Sequence, residues 1–226
     1  MNSKQRDRIA VFDVDNTIVD GFTEWMLVCY LFLKKKLSFF YFLRILFWFV
    51  RYKIGLQRNI DLRSKILNSF KGWRVIDAQA IFRDCFNRYI KPKIFLGALQ
   101  IIEEHAADGY IIILLSNSIN PLVNELKNFL SLKHSISTEL AMEEGRYTGQ
   151  IVGDAVYGSN KVKKLKELVE KSNFTFRDSY IYSDHISDLR LLELGDHPVV
   201  INPGIKLYNV AKSRGWAILS FSKVIK

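Results

Sequence analysis

Two apolar runs, Arg8 to Val14 (RIAVFDV) and Tyr110 to Leu115 (YIIILL), are the first strand-like segments of this chain, and residues 15–109 lie between them. Both runs are continuous rather than alternating, which fits strands buried on both faces of a parallel sheet. The intervening segment reads only as helices, over 22–33, 37–53, 59–70, 75–90 and 93–108. Gly55, Gly72 and Pro92 punctuate it, and Gly109 suits a C-cap. From Tyr110 onward strands and helices alternate. A helix is expected from Pro121, and a β-hairpin from His134–Met142 and Arg146–Val152 joined at Glu144-Gly145. Ser159 is expected to cap a helix through about Lys171, followed by strands at Ser179–Ser183, Pro198–Ile201 and Trp216–Phe221 with a helix before the last.

This order predicts an α/β fold, a doubly wound Rossmann-like parallel sheet with an inserted all-helical cap. The expected core is 1–21 with 108–226, and the expected cap is 22–107. At 226 residues, 49% hydrophobic and 25% charged, the chain is long enough for both and is not disordered in composition. Cys29 and Cys85 have no paired spacing and the start is polar, so a reducing, cytoplasmic setting is expected.

Charge divides the chain in the same place. Residues 22–100 hold 15 Lys or Arg against 4 Asp or Glu, a net of +11, whereas the remainder holds 18 against 19. The same segment carries 18 of the 30 aromatic residues, so the insert presents a basic, aromatic surface unlike the rest.

Four groups carry chemistry. Asp13-Val14-Asp15-Asn16-Thr17 follows the first strand, at the sheet end where open α/β folds place ligands. Carboxylates at i and i+2 leave an extended segment on one side and repel, so a cation binds between them or one keeps a proton. Either outcome serves phosphoryl transfer; alone, the same residues also fit an acidic turn capping a helix. Ser116-Asn117-Ser118 ends the second strand, where hydroxyl, amide and N–H groups bind phosphate oxygens or simply cap a helix. Lys161 sits in the first turn of a helix, where it opposes the dipole unless an anion is near. Asp184 and Asp188, in Ser183-Asp184-His185-Ile186-Ser187-Asp188, offer further sheet-end carboxylates for a hard cation or a helix cap.

In this order and spacing the four groups resemble the motifs of the haloacid dehalogenase-like phosphatases. Tyr147-Thr148-Gly149, Tyr157-Gly158 and Asn202-Pro203 look like the phosphoserine phosphatase branch, subfamily IB. The resemblance implies that Asp13 attacks phosphorus and that Asp15 protonates the leaving oxygen and then activates water. It implies Ser116, Asn117 and Lys161 as phosphate-binding residues and Mg²⁺ as cofactor, held by Asp13, Asp184 and the backbone carbonyl of Asp15, with Thr17 and Asp188 in support. Asn117 and His185 depart from the small residues usual at those positions, which bears on substrate choice. His185 is expected to orient neighbours or lie partly exposed, and His105, His134 and His197 are given no role.

The same branch implies that the cap selects the leaving group. Trp25–Leu33 and Leu37–Val50 are apolar, with Lys34–Lys36 between them, and each is shorter than a bilayer span. Such helices are buried in the cap, in a homodimer seam, or at an anionic membrane surface through residues 25–53. A lipid phosphate such as phosphatidylglycerophosphate and a small soluble monoester such as phosphoserine or histidinol phosphate are the corresponding substrates. Glu24, with Arg58 or Arg63, is a candidate contact for a polar leaving group. A peripheral membrane-binding protein with catalysis secondary is the reading from another class. No nucleic-acid partner is expected, because the basic segment is apolar between its charges.

Overall fold

The structure, a computed structural model, describes residues 6–53 and 66–225. Gly55, Arg58, Arg63 and most of the helix expected at 59–70 lie outside the described residues. Six strands form one parallel sheet: β1 (Asp7–Phe12), β2 (Ile111–Ile119), β3 (His134–Thr138), β6 (Phe174–Ser183), β7 (His197–Ile201) and β8 (Ala217–Leu219), in the order β3-β2-β1-β6-β7-β8. Central β1 pairs with β2 on one side and β6 on the other, with Phe12 opposite Leu114 and Tyr182. Ile9 and Val11 enter the hydrophobic cluster on one face while Ala10 and Phe12 enter the other, and all four are fully buried. Burial on both faces explains the unbroken apolar run. Strand order reverses direction at β1, so ligands are expected where β1 and β6 end.

Between β1 and β2 the described residues form α1 (Thr23–Leu33), α2 (Phe39–Lys53), α3 (Val75–Cys85) and α4 (Leu96–Ala107). A π turn at Phe86–Ile90 and a 3₁₀ turn at Lys91–Lys93 continue from α3, so Pro92 sits in an irregular turn rather than between clean helices. Helix α4 lies with the sheet: it packs on β2, and the Phe95 and Leu96 N–H groups donate to the carbonyls of Ile18 and Lys223 (2.8 and 2.9 Å). Helix α1 also packs on β2. Among the described residues no helix is long and apolar enough to cross a membrane.

The expected strand His134–Met142 is divided. Its first half is β3, parallel to β2, and its second half is β4 (Leu140–Glu143), antiparallel to β5 (Arg146–Ile151). The Leu140 N–H donates to Asn120 Oδ1 (3.2 Å), which diverts the chain from the main sheet. Glu144 and Gly145 both take positive φ, 47° and 72°, as a tight hairpin turn requires. The hairpin docks on the helical segment through Tyr147 N–H to Trp73 O and Val75 N–H to Gly145 O (both 2.9 Å). Helices α5 (Asn120–Phe129), α6 (Ser159–Lys171), α7 (Leu189–Leu192) and α8 (Ile205–Arg214) complete the fold. Gly158, not Ser159, is the N-cap of α6: its φ of 55° with ψ of −122° is open to glycine, and Ser159 is already helical.

Under the end of β6, Tyr182 stacks on Phe12 at 4.3 Å and its hydroxyl meets Nε2 of buried His105 at 2.6 Å. Tyr182→Phe leaves that ring nitrogen unpaired and should destabilise the fold by about 1–3 kcal/mol in urea unfolding. Burial lowers the His105 pKa. The unfolded chain therefore binds a proton first, and the stability of the native protein should fall as pH drops below roughly 6.5.

Candidate active site

The carboxyl end of β1 is tied to β6 by the Asp13 N–H, which donates to the Tyr182 carbonyl (3.0 Å). Beyond Asp13 the chain folds back on itself, with the N–H groups of Thr17, Ile18 and Val19 converging on the Val14 carbonyl at 3.3, 2.9 and 3.0 Å. Asn16 takes φ of 58° in this turn, a left-handed conformation that asparagine tolerates. Asp13 and Asp15 thus leave the strand end on a stiff loop rather than a free one.

Lys161 projects from the first turn of α6 into this cluster. Its Nζ donates to Asp13 Oδ1 at 2.7 Å and to Asp188 Oδ2 at 2.6 Å, and the Ser183 hydroxyl donates to the same Asp188 oxygen at 2.8 Å. Asp13, Lys161 and Asp188 are 6%, 3% and 2% exposed. The anions that make a first-turn lysine tolerable are therefore Asp13 and Asp188. Burial opposes the Lys161 charge, but these two carboxylates outweigh it and raise the pKa, so Lys161 stays protonated.

One ammonium does not balance the site. Burial, with repulsion from Asp188, raises Asp13 to about 7, against the pull of Lys161. Burial, with repulsion from Asp13 and Asp188, raises Asp184 to about 8. Asp188 Oδ1 is buried without a hydrogen-bond partner among the described residues. Excess buried negative charge on oxygen donors fits Mg²⁺, which takes one or two carboxylates and retains water. Among the described residues no group of three or more His, Cys, Asp or Glu side chains is placed so as to hold a metal ion by itself.

Asp15 is held separately. Its Oδ1 accepts the Thr23 N–H at 2.9 Å, at the start of α1, and the Thr23 hydroxyl donates to Ser118 Oγ at 2.7 Å. The Ser118 N–H in turn donates to Ser116 Oγ at 3.0 Å. This chain links Asp15 to β2, which runs on past Leu115 to Ile119, so that Ser116 lies within the strand, two residues past Leu114, the partner of Phe12. Burial raises the Asp15 pKa to about 6, and the Thr23 bonds moderate the rise. The Asn117 carbonyl accepts from Thr138 Oγ1 (2.8 Å), and Thr17 is fully buried beneath the loop. His185 is exposed, and its Nδ1 accepts the Ser187 N–H (3.2 Å) as a local cap. Ser118 and Ser183 belong to the motifs at the ends of the second strand and of β6, whereas Thr23 was not singled out by sequence reasoning. A threonine opening the helix that follows the Asp13 loop was the only available signal.

The description of haloacid dehalogenase-like hydrolases matches residues 10–193. The chain belongs to that family. It is 31% identical over 164 residues to a probable phosphatase of Mycobacterium tuberculosis, a match that covers 73% of this chain and 57% of that protein. The chain thus spans little more than half of that relative. A phosphoserine phosphatase of the same organism is 26% identical over 220 residues, covering 94% of this chain and 70% of the other. Among solved structures of this hydrolase fold, a Bordetella pertussis protein of unknown function superposes with a TM-score of 0.86 at 22% identity, over 95% of this chain and 98% of that one. That likeness is one of fold.

Replacing Lys161 by Met leaves two buried carboxylates without their cation. In EDTA at pH 8, urea unfolding should report a loss of about 3–5 kcal/mol. The loss should shrink at pH 6, where the raised carboxyl groups take up protons.

Proposed function

We propose that this chain is a magnesium-dependent phosphatase that cleaves phosphate monoesters through an aspartyl-phosphate on Asp13. The reading rests on one observation, the buried Asp13–Lys161–Asp188 cluster with Asp15 and Asp184 beside it at the point where the sheet reverses. Bound magnesium would neutralise phosphoryl oxygens and return the carboxylates to their charged form. Its ligands are read as Asp13, Asp184 and the backbone carbonyl of Asp15.

In the proposed reaction an Asp13 oxygen forms a bond to phosphorus as the ester P–O bond breaks, and the Asp15 proton passes to the leaving oxygen. Asp15, now a carboxylate, takes a proton from the water that attacks phosphorus, and the Asp13–phosphorus bond breaks. A pKa of about 6 makes both forms of Asp15 available near neutral pH, and the Thr23 N–H fixes its rotamer. Ser116, Asn117 and Lys161 are read as holding the phosphoryl oxygens, so positioning and electrostatics supply most of the rate. Thr17 and Asp188 support the loop and the lysine.

The segment 22–107 is read as the part that meets the leaving group, with α4 serving the sheet. A lipid phosphate, for instance phosphatidylglycerophosphate, is favoured by the exposed aromatic face of α2. Phosphoserine, the substrate in the name of the 26% identical relative, and histidinol phosphate are the soluble alternatives. Both Cys29 and Cys85 are free, in keeping with a reducing cytoplasmic setting.

Release of phosphate from p-nitrophenyl phosphate should require Mg²⁺ and cease in EDTA. Asp13→Asn should lower kcat by on the order of 10³-fold or more, and Asp15→Asn by roughly 10²–10⁴-fold. Undiminished turnover by Asp13→Asn would contradict the covalent route.

A further inference from the structure

Helix α2 is apolar on two faces, and among the described residues only one of them is covered. Its inner face packs on α1: Trp25 stacks on Phe49 at 4.2 Å, Phe32 stacks on Phe42 at 4.1 Å, and Ile45 is fully buried. The outer face carries Phe39, Phe40, Leu43, Phe47 and Val50, with exposures of 58%, 82%, 41%, 58% and 48%. At 3.6 residues per turn these five fall within an arc of about 100°, the width of a stripe that normally faces a core. Arg44 and Arg51 flank the same arc, and the Arg51 guanidinium lies over the Phe47 ring at 5.6 Å.

Charge identifies what the stripe meets. Residues 25–60 contain no Asp or Glu, while Lys34, Lys35 and Lys36 precede α2 and Arg44 and Arg51 border one side of the stripe. A second copy docked face to face would set Lys35, Lys36, Arg44 and Arg51 against their own counterparts, and the nearby Asp84 is already paired with Lys34 at 3.5 Å. An anionic lipid surface complements both parts: rings enter the interface and the basic side chains meet headgroup phosphates. A cleft of about 410 Å³ adjoins the stripe at the start of α2, lined by Lys36, Ser38, Tyr41, Arg44, Asn68 and Ser69, a setting suited to such a phosphate.

We infer that the outer face of α2, with Arg44, Arg51 and the Lys34–Lys36 cluster, is a docking surface for an anionic lipid bilayer. Docking lays α2 flat on the membrane rather than across it. Phe49 packs edge-on against Phe22, the residue before Thr23, so the same helix that meets lipid borders the loop holding Asp15. The phosphate site is thereby carried to the membrane surface, although the docking itself does not depend on how that site is read.

Cosedimentation with vesicles of phosphatidylcholine, with and without phosphatidylglycerol, at low and high salt, tests this directly. The intact chain should sediment with the anionic vesicles only, and high salt should release it. Phe40→Ser with Phe47→Ser should weaken binding by on the order of tenfold or more, and Arg44→Glu with Arg51→Glu by roughly tenfold or more. Both variants should keep the far-ultraviolet circular dichroism spectrum and hydrolysis of a soluble aryl phosphate. Asp13→Asn should bind vesicles like the parent, which separates docking from catalysis. Failure of the parent to bind anionic vesicles, equal binding by the Phe variant, or a solution dimer that the Phe variant dissolves would each overturn the inference.

Discussion

Lys161 brings one positive charge into a dry corner that also holds Asp13, Asp188, Asp184 and Asp15, and the geometry of that corner follows from how this charge is shared. The ammonium contacts Asp13 and Asp188 at 2.7 and 2.6 Å, which joins the end of β1 to the loop after β6 through a residue of α6. Buried pairs of this kind contribute little net stability, but removing one partner strands the others. The arrangement therefore fixes position more than it adds stability. It also leaves negative charge over, which a divalent cation is suited to offset.

The second support is longer in sequence and joins one carboxyl group to uncharged hydroxyl and backbone groups. Asp15, Thr23, Ser118 and Ser116 are linked by successive hydrogen bonds, so the first residues of α1 are registered against the end of β2. This places the helical segment and the C-terminal part of β2 in one hydrogen-bonded unit. A shift of α1 would move the Asp15 carboxyl, which couples whatever α1 and α2 contact to the proposed acid and base.

The sheet-end carboxylates were legible because a continuous apolar run ending in Asp13 and Asp15 has few alternatives once Ser116, Lys161 and Asp184 recur at later strand and helix ends. The Asp188 contact to Lys161 was not, since spacing says nothing about which of several carboxylates a lysine will reach. The Thr23 bond to Ser118 was hidden for the same reason: it spans 95 positions, and a threonine at the start of a helix is not distinctive. Alternation suggested one strand across His134–Met142, but it cannot reveal that Leu140 turns away to another partner. Likewise an all-round apolar α2 was evident, whereas the arc left uncovered depends on where α1 lies.

Chemical trapping tests the central claim most directly. The enzyme would be quenched in acid during turnover of a phosphate monoester, reduced with borohydride to convert an aspartyl-phosphate to homoserine, and mapped by peptide mass spectrometry. The account predicts conversion at Asp13 alone, dependent on substrate and Mg²⁺. Conversion at another carboxylate, or steady turnover with none at Asp13, would contradict it.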